Sequence, residues 1–206
     1  LTEFSKIERI YSFLNDAKWK PSDGAHKSIW FPESDDDGQW VSPDECVLHD
    51  ARGLFKSRLH VLEGTKYKPE VLLFFSNAFE VRSKPSIDDY SSLWKEWENT
   101  RATISVDECQ AFWGPFIMCF NSKTKNENLI FDSVTKVPAF SDGSSEVLLL
   151  SKKDVFIPDD LLLKDLFDNS SPTPLFVWYP SKNKPSISRL RLFHLYSEIG
   201  FNTLSE

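Results

Sequence analysis

One arrangement of apolar, proline and turn residues occurs twice in this chain, and it constrains the fold more than any other feature. Each copy has an apolar–proline step, a turn with glycine, a strand, a second apolar strand that ends at aspartate, and a Leu-Phe pair. The copies span residues 31–55 and 137–167, and similar helical segments follow at residues 71–81 and 191–201. Duplication and shared hairpin chemistry are two explanations of the likeness. Duplication has a physical basis, because a unit that cannot bury its apolar face alone is expected to stack on a copy.

The change between strand and helix periods along the chain predicts an α+β fold. We expect two small strand-turn-strand units, a candidate pseudo-repeat, packed with aromatic-rich helices. The first unit is predicted at residues 1–130 and the second, shorter unit at residues 131–206, with both forming one compact domain.

Capping signals and residue periodicity locate the individual elements. Ser105 and Glu108 have the spacing of a capping box, and Ser188 and Gly200 are expected to bound the last helix. Pro115 predicts a kink inside the helix that follows Ser105. The predicted helices cover residues 3–17, 53–62, 69–81, 86–97, 105–120, 161–167 and 188–200. The predicted strands cover residues 28–32, 39–41, 45–48, 133–140, 146–150, 154–157 and 175–179.

The aromatic content predicts a chain that folds. Aromatic side chains make up 14% of the 206 residues, with 17 Phe and 7 Trp, whereas disordered chains are poor in such side chains. No uninterrupted apolar run approaches the roughly 20 residues that cross a bilayer. We therefore expect a soluble protein without a membrane partner.

The charge distribution argues against a nucleic-acid partner. The net charge is −7; residues 1–50 hold 11 acidic and 5 basic residues, a balance of −6, so the rest of the chain carries −1. The basic residues form short pairs among acidic ones, whereas binding to phosphates needs a clustered basic surface. The acidity is confined to one end of the sequence.

Cysteine usage indicates the compartment. Three cysteines cannot all pair, which favours a reducing environment. The first residues start an amphipathic helix and lack the basic and apolar regions of a signal peptide. We expect an intracellular protein, in the cytoplasm or the nucleus.

Cys46 and His49 are the closest Cys–His pair in the sequence. Two such ligands are too few for a zinc site, and side chains three residues apart on a strand point to opposite faces. The favoured interpretation is a buried cysteine beside a histidine at the end of a strand. A metal site and a nucleophile–base pair are the two alternatives.

Two acidic clusters could suggest chemistry, but local structure explains both. Asp35-Asp36-Asp37-Gly38 is not followed by the further oxygen ligands of a calcium loop. Asp159-Asp160 precedes a predicted helix, whose N-terminus attracts acidic residues. The phosphate-binding loops, hydrolase elbow and zinc-protease motif that are typical of common enzymes are absent from the sequence. We expect no catalytic residue, metal site or cofactor.

Aromatic residues are the best candidates for binding a protein or peptide partner. Tyr90, Trp94 and Trp97 form a helical stripe that fits either a core or an exposed interaction surface. Trp178 and the acidic turn complete the predicted partner-binding set, which consists of Tyr90, Trp94, Trp97, Trp178, Asp35, Asp36 and Asp37.

Several longer strings are particular enough to compare with a known family. They are Trp30-Phe31-Pro32, Gln39-Trp40-Val41-Ser42-Pro43, Glu45-Cys46-Val47-Leu48-His49-Asp50, Pro85-Ser86-Ile87-Asp88-Asp89-Tyr90, Leu93-Trp94-Lys95-Glu96-Trp97-Glu98, Val155-Phe156-Ile157-Pro158-Asp159-Asp160 and Pro174-Leu175-Phe176-Val177-Trp178-Tyr179-Pro180. These strings resemble a region downstream of the ATPase domain in large plant proteins of the sacsin-like and No-vein-like group. That group is described as histidine-kinase, DNA gyrase B and Hsp90-like ATPases.

The resemblance implies an accessory segment of a chaperone-type ATPase. The family's nucleotide-binding boxes have no counterpart in these residues, so the resemblance places the ATPase domain elsewhere in the parent chain. It implies a non-catalytic protein-interaction module, including use as a recognition module in a plant immune receptor. A purely structural spacer and, less favoured, a cysteine-dependent enzyme are the alternative functions.

Overall fold

The computed structural model describes residues 2–22, 28–119, 134–140, 146–167, 175–180 and 188–205. The chain divides into two compact units, Leu1–Pro85 (unit 1) and Ser86–Glu206 (unit 2). The described residues form six α-helices and ten short strands, which confirms the predicted α+β class.

Unit 1 places a hairpin and a small parallel sheet beside two helices. The hairpin strands β1 and β2 are antiparallel, with Trp30 opposite Trp40 and Pro32 opposite Gly38. The elements of unit 1 are α1 (Glu3–Asp16), β1 (Ile29–Pro32), β2 (Gly38–Val41), a 3₁₀ turn (Pro43–Glu45), β3 (Cys46–Val47), β4 (His60–Val61) and α2 (Pro69–Phe79).

The hairpin requires glycine at its turn. A Cβ atom at Gly38 would lie 2.5 Å from the carbonyl oxygen of Phe31 and 2.8 Å from the indole ring of Trp30. Backbone and a buried ring cannot both move aside, so only glycine lets β2 approach β1 this closely.

Strand β3 is the centre of the parallel sheet in unit 1. It pairs with β4 on one side and, through a bridge from Val47 to Arg82, with the segment after α2 on the other. The N–H of Leu62 donates to the carbonyl of Val47 at 3.0 Å, and the N–H of Leu48 donates to the carbonyl of Arg82 at 2.9 Å. Strand β3 is thus paired on both edges, and its two residues are fully buried.

Aromatic rings from α1 and α2 fill the core of unit 1. Tyr11 on α1 packs edge-on against Phe75 on α2, with ring centroids 4.7 Å apart. Its hydroxyl donates to the carbonyl of Ser28 and accepts the N–H of Trp30, both at 2.9 Å. Tyr67 donates its hydroxyl to the carbonyl of Trp30 at 2.7 Å. Two buried tyrosines therefore hold the start of the hairpin.

Unit 2 contains four helices and six strands among its described residues. These elements are α3 (Ile87–Thr100), β5 (Thr103–Ser105), α4 (Val106–Cys119), β6 (Lys136–Ala139), β7 (Glu146–Ser151), β8 (Val155–Ile157), α5 (Leu161–Phe167), β9 (Leu175–Phe176), α6 (Arg189–Ile199) and β10 (Asn202–Thr203).

The strands of unit 2 form two three-stranded sheets that meet at one bridge. Antiparallel pairing gives the order β5-β7-β6, and parallel pairing gives the order β10-β8-β9. An antiparallel bridge joins Ala139 to Val177, and the N–H of Trp178 donates to the carbonyl of Pro138 at 2.8 Å. The hydrogen-bonded order is therefore continuous from β5 to β10.

Three predicted helix starts are confirmed by their caps. Ser86 and Asp89 form a capping box at α3, and the Ser105–Glu108 pair forms one at α4. Ser188 is the N-cap of α6, which ends at Gly200 with a φ of 83°. The left-handed conformation explains the glycine at that position.

The two units share an order of elements, apart from α3, β5 and α5 of unit 2, which have no counterpart in unit 1. A helix (α1 or α4) precedes an antiparallel hairpin, which leads to a central strand (β3 or β8), a parallel neighbour (β4 or β9), a helix (α2 or α6) and a second parallel neighbour (Arg82 or β10). The N–H of Val177 donates to the carbonyl of Phe156 at 3.0 Å, as Leu62 donates to Val47 in unit 1. α2 ends at Glu80 in the same left-handed conformation as Gly200. The shared topology supports duplication, with α3 and β5 inserted between the copies and α5 inserted after the central strand of the second copy.

The structure differs from several sequence predictions. Residues 53–62 form turns and β4 rather than a helix, because the Asp50 carboxylate accepts the N–H of Phe55 at 2.8 Å and closes a turn there. Strands β4, β5 and β10 were not predicted. The predicted boundary at residues 130/131 lies within unit 2, where β5 pairs with β7 across it. The glycine turn between the strands predicted at residues 133–140 and 146–150 lies outside the described residues, as does the last residue of the helix predicted at residues 105–120.

Candidate functional site

The acidic turn of unit 1 is bound to its own α1 helix. The Asp36 carboxylate accepts the N–H of Glu3 at 3.0 Å, and the carbonyl of Asp35 accepts the N–H of Phe4 at 3.1 Å. Thr2 caps the next free N–H, that of Ser5. Helix N-termini carry unpaired N–H groups and partial positive charge, which an acidic turn satisfies. The turn that sequence analysis assigned to a partner therefore caps a helix.

The other carboxylates of this turn also have partners within unit 1. Asp35 forms an ion pair with Lys66, and Asp37 accepts the N–H of Gly38 at 2.9 Å. All three aspartates thus stabilise the turn, although they remain exposed. Nothing in this arrangement reserves a carboxylate for a ligand.

The predicted aromatic anchors Tyr90, Trp94 and Trp97 lie in the core of unit 2. Each is at most 4% exposed, and the ring of Phe112 on α4 lies 4.9 to 5.7 Å from all three. Burial in an internal cluster leaves no ring face for a partner. The stripe is therefore core, which is one of the two roles that its spacing fits, and these three residues do not form the predicted partner-binding surface.

Trp178 is likewise buried and does not form a binding surface. It is 3% exposed, its N–H extends the pairing of β9 with β6, and its carbonyl accepts the hydroxyl of Tyr196 at 3.0 Å. The predicted partner-binding residues therefore fall into separate structural roles, in unit 1 for the aspartates and in unit 2 for the aromatics.

Cys46 and His49 do not form a catalytic pair. Cys46 is fully buried, its thiol donates to the carbonyl of Ser42 at 3.4 Å, and burial raises the pKa of the thiol to about 12. His49 is half-exposed and its Nδ1 lies 2.9 Å from a carboxylate oxygen of Glu63. A nucleophilic cysteine needs a lowered pKa and access to substrate, and Cys46 has neither.

The remaining described thiol has the same character. Cys109 on α4 is fully buried, and burial raises the pKa of its thiol well above the ordinary value. Within the described ranges, no group of three or more His, Cys, Asp or Glu side chains could hold a metal ion.

The Asp159–Asp160 pair also serves the fold. Asp160 accepts the N–H groups of Leu162 and Leu163 at 2.8 and 3.2 Å, so it caps α5. Asp159 accepts the N–H groups of Leu204 and Ser205 at 2.9 and 3.2 Å, which fixes the chain after β10. Desolvation acts to raise the pKa of Asp159, but the hydrogen bonds from the Ser205 hydroxyl and from backbone N–H groups outweigh it and lower the pKa below its ordinary value.

Unit 2 contains a small apolar cavity. It has room for about one water molecule, and its lining includes Trp94, Phe112, Trp113 and Phe201. The indole N–H of Trp113 is buried without a hydrogen-bond partner. The cavity is too small for a substrate, because known ligand pockets are about 300 Å³ or larger.

Exposed apolar side chains on two helices are the features that the fold does not explain. On α1, Ile10 is 57% and Phe13 71% exposed; on α5, Leu162 is 76% and Leu166 72% exposed. Spacings of three and four residues place each pair on one helix face. Sequence analysis missed both pairs. A helix face that is exposed to solvent ordinarily carries polar residues, and these four positions are apolar. Other exposed large apolar residues are Trp19, Trp40, Leu73, Phe140, Phe167, Leu175 and Leu190.

No protein-family model, curated protein or solved structure matches this chain. In the described part of the chain, no helix combines the length and apolar character needed to cross a membrane. The candidate functional surfaces are therefore the exposed apolar faces of α1, with Ile10 and Phe13, and of α5, with Leu162 and Leu166.

Proposed function

We propose that the chain is a non-catalytic protein-interaction module that belongs to a chaperone-type ATPase of the sacsin-like or No-vein-like group. Its resemblance to the region downstream of the ATPase domain supports the group, and use as a recognition module in a plant immune receptor fits the same role. Binding occurs inside the cell, to a protein or peptide partner rather than to nucleic acid.

One observation carries the interaction role. The four apolar side chains Ile10, Phe13, Leu162 and Leu166 are each more than half exposed, the first two on a helix whose other face is buried in the core of unit 1. Apolar groups that remain in contact with water on the outer face of a helix commonly mark a protein-binding surface. The buried, high-pKa cysteine gives the enzyme alternative no comparable support.

Partner capture with matched variants tests the proposal. The double variants Ile10→Asp/Phe13→Asp and Leu162→Asp/Leu166→Asp are compared with the wild-type chain in pull-downs, and bound proteins are identified by mass spectrometry. We expect at least one double variant to lose proteins that the wild type captures, because aspartate makes the contact surface charged.

Controls on the same helices separate apolar contact from general surface change. Asp16→Asn on α1 and Asp165→Asn on α5 alter exposed polar residues and should leave capture unchanged. Circular dichroism and thermal unfolding confirm that each variant is folded. If both double variants capture the same proteins as the wild type, the interaction role is refuted and the structural spacer is favoured.

A further inference from the structure

The β1–β2 hairpin of unit 1 has one closed outer edge and one open outer edge. On β1, the N–H of Trp30 donates to the hydroxyl of Tyr11, and its carbonyl accepts the hydroxyl of Tyr67. Both backbone groups of Trp30 therefore face away from β2. Opposite residues of an antiparallel pair alternate between hydrogen-bonded and non-hydrogen-bonded pairs, so Trp30 and Trp40 form a non-hydrogen-bonded pair. The N–H and carbonyl of Trp40 consequently face away from β1.

The outer edge of β2 is unpaired within the part of the chain that the structure describes. The sheet consists of β1 and β2, and no further bridge reaches either strand among the described residues. Gln39 and Trp40 in the middle of β2 are exposed, Trp40 to 48%. An open edge is a template for a further strand, which would exchange both hydrogen bonds with Trp40. The chain itself contains such an addition, because β5 pairs with β7 on the side away from β6.

Two carboxylates flank Trp40 on this edge. Asp37 Oδ1 accepts the N–H of Gly38 at 2.9 Å, and Glu45 Oε2 accepts the N–H of Ser42 at 3.0 Å. Gly38 and Ser42 lie two residues to either side of Trp40, so their N–H groups share its edge, because extended backbone repeats every two residues. Each carboxylate has a second oxygen that can accept from a cation. Charges on an edge repel an acidic strand and attract a basic one.

The charge of the surrounding segment also favours a basic partner. Residues 33–45 contain six acidic residues and no basic residue. Lys66 pairs with Asp35, and Arg82 donates to the carbonyl of Asp44 at 3.0 Å. Six acidic residues less these two cations still leave a balance of −4. Two copies of the same acidic edge would repel each other, which disfavours pairing of β2 with a second chain.

We propose that the outer edge of β2 binds an extended basic segment of a partner protein as an added antiparallel strand. Main-chain hydrogen bonds to Trp40 supply the pairing, as in other complexes formed by strand addition. Lysine or arginine two residues to either side of the paired residue lies near the carboxylates of Asp37 and Glu45. The inference rests on the proposed interaction function, and it adds a binding surface on unit 1 and a class of partner.

Two short capped peptides are the probes. The first is Gly-Thr-Lys-Thr-Val-Thr-Lys-Thr-Gly, and the second has N-methylvaline at its centre, which removes the N–H that would donate to the carbonyl of Trp40 without changing the charge. Binding to the full chain is followed by NMR spectroscopy through the amide signal of Trp40. We expect a saturable shift with the first peptide. The second should bind about fivefold more weakly or not at all, because a hydrogen bond is lost.

Matched variants separate the charge of this edge from the charge of the whole chain. Asp37→Asn/Glu45→Gln keeps a side-chain oxygen for each N–H but removes both charges, so it should weaken binding of the first peptide about fivefold. The control Asp16→Asn/Glu70→Gln removes two exposed charges from helices of the same unit and should bind like the wild type. A peptide with glutamate in place of both lysines should not bind, and high salt should weaken binding of the lysine peptide.

Four results would overturn the inference. They are absence of a saturable shift at Trp40, equal binding of the N-methylated peptide, unchanged binding in Asp37→Asn/Glu45→Gln, and a concentration-dependent shift of Trp40 without peptide, which would make a second copy the occupant. The peptide comparisons use the unaltered chain, so they decide the outcome even if a variant fails to fold. If the lysine peptide fails to bind but pull-downs still lose partners with Leu162→Asp/Leu166→Asp, strand addition is refuted and the interaction function stands.

Discussion

One buried carboxylate holds the start of β6 in unit 2. Glu98 on α3 accepts the N–H groups of Thr135 and Lys136, both at 3.1 Å, and is 7% exposed. One turn earlier, the indole N–H of Trp94 donates to the carbonyl of Lys136 at 3.0 Å. The two side chains together satisfy the backbone at the point where the hairpin begins.

Replacing Glu98 tests whether this contact stabilises the unit. Glu98→Ala removes two hydrogen bonds to a charged acceptor and leaves two N–H groups without it, so we expect the free energy of unfolding to fall by about 2–4 kcal/mol. Glu98→Gln keeps one carbonyl oxygen that can accept both bonds and should lose about half as much. Urea denaturation, followed by tryptophan fluorescence, measures both changes.

Hydrogen exchange gives a local readout of the same contact. The amides of Thr135 and Lys136 should exchange faster in Glu98→Ala than in the wild type, while amides of β8 change only with global stability. The exposed Glu96→Ala on the same helix is the matched control. A loss below about 0.5 kcal/mol for Glu98→Ala, within the range of ordinary surface changes, would refute the reasoning. If Glu98→Ala and Glu98→Gln lose the same free energy of unfolding, the side-chain oxygen at this position is not what stabilises the start of β6, and the reasoning is refuted.

Three further predictions follow from other sites. Glu80→Gly should raise the free energy of unfolding by about 0.5–1 kcal/mol in urea titrations, because Glu80 has a φ of 58°; an unchanged or lower value would contradict the strain. Cys46 should react with a thiol reagent at neutral pH only after denaturation, since burial raises its pKa to about 12; rapid native labelling would contradict this. The folded-state pKa of Asp159 lies below its unfolded value, so its contribution to stability is present above the unfolded pKa and is lost as pH falls through the folded pKa. Asp159→Asn should therefore flatten the acidic limb of a curve of unfolding free energy against pH. An unchanged acidic limb would contradict the lowered pKa.

Local sequence signals were sufficient where an element is determined by its own residues. The serines at 86, 105 and 188 cap the helices that they were expected to cap, because a cap involves only the first turn. The hairpin strands β1 and β2 were also predicted, since alternation and a glycine turn are local features. The class of fold follows from such signals.

Elements that depend on distant partners were missed. Strands β4 and β10 are two residues long, and each exists because a central strand lies beside it. The acidic turn was assigned to a partner because the group that it binds is distant in the sequence. The Asp36 carboxylate accepts the N–H of Glu3, 33 residues away. Periodicity likewise identified the stripe on α3 but could not show that α4 covers it.

The two hairpins show why the copies share a topology with little common sequence. Near the start of the first strand of each hairpin, one residue has both its N–H and its carbonyl bound by side chains: tyrosine hydroxyls bind Trp30, and Glu98 with Trp94 binds Lys136. An unpaired strand edge is costly when buried and prone to misassembly when exposed, so each copy must satisfy these groups. The requirement belongs to the backbone, and different side chains meet it in the two units: Tyr11 and Tyr67 in unit 1, and Trp94 and Glu98 in unit 2.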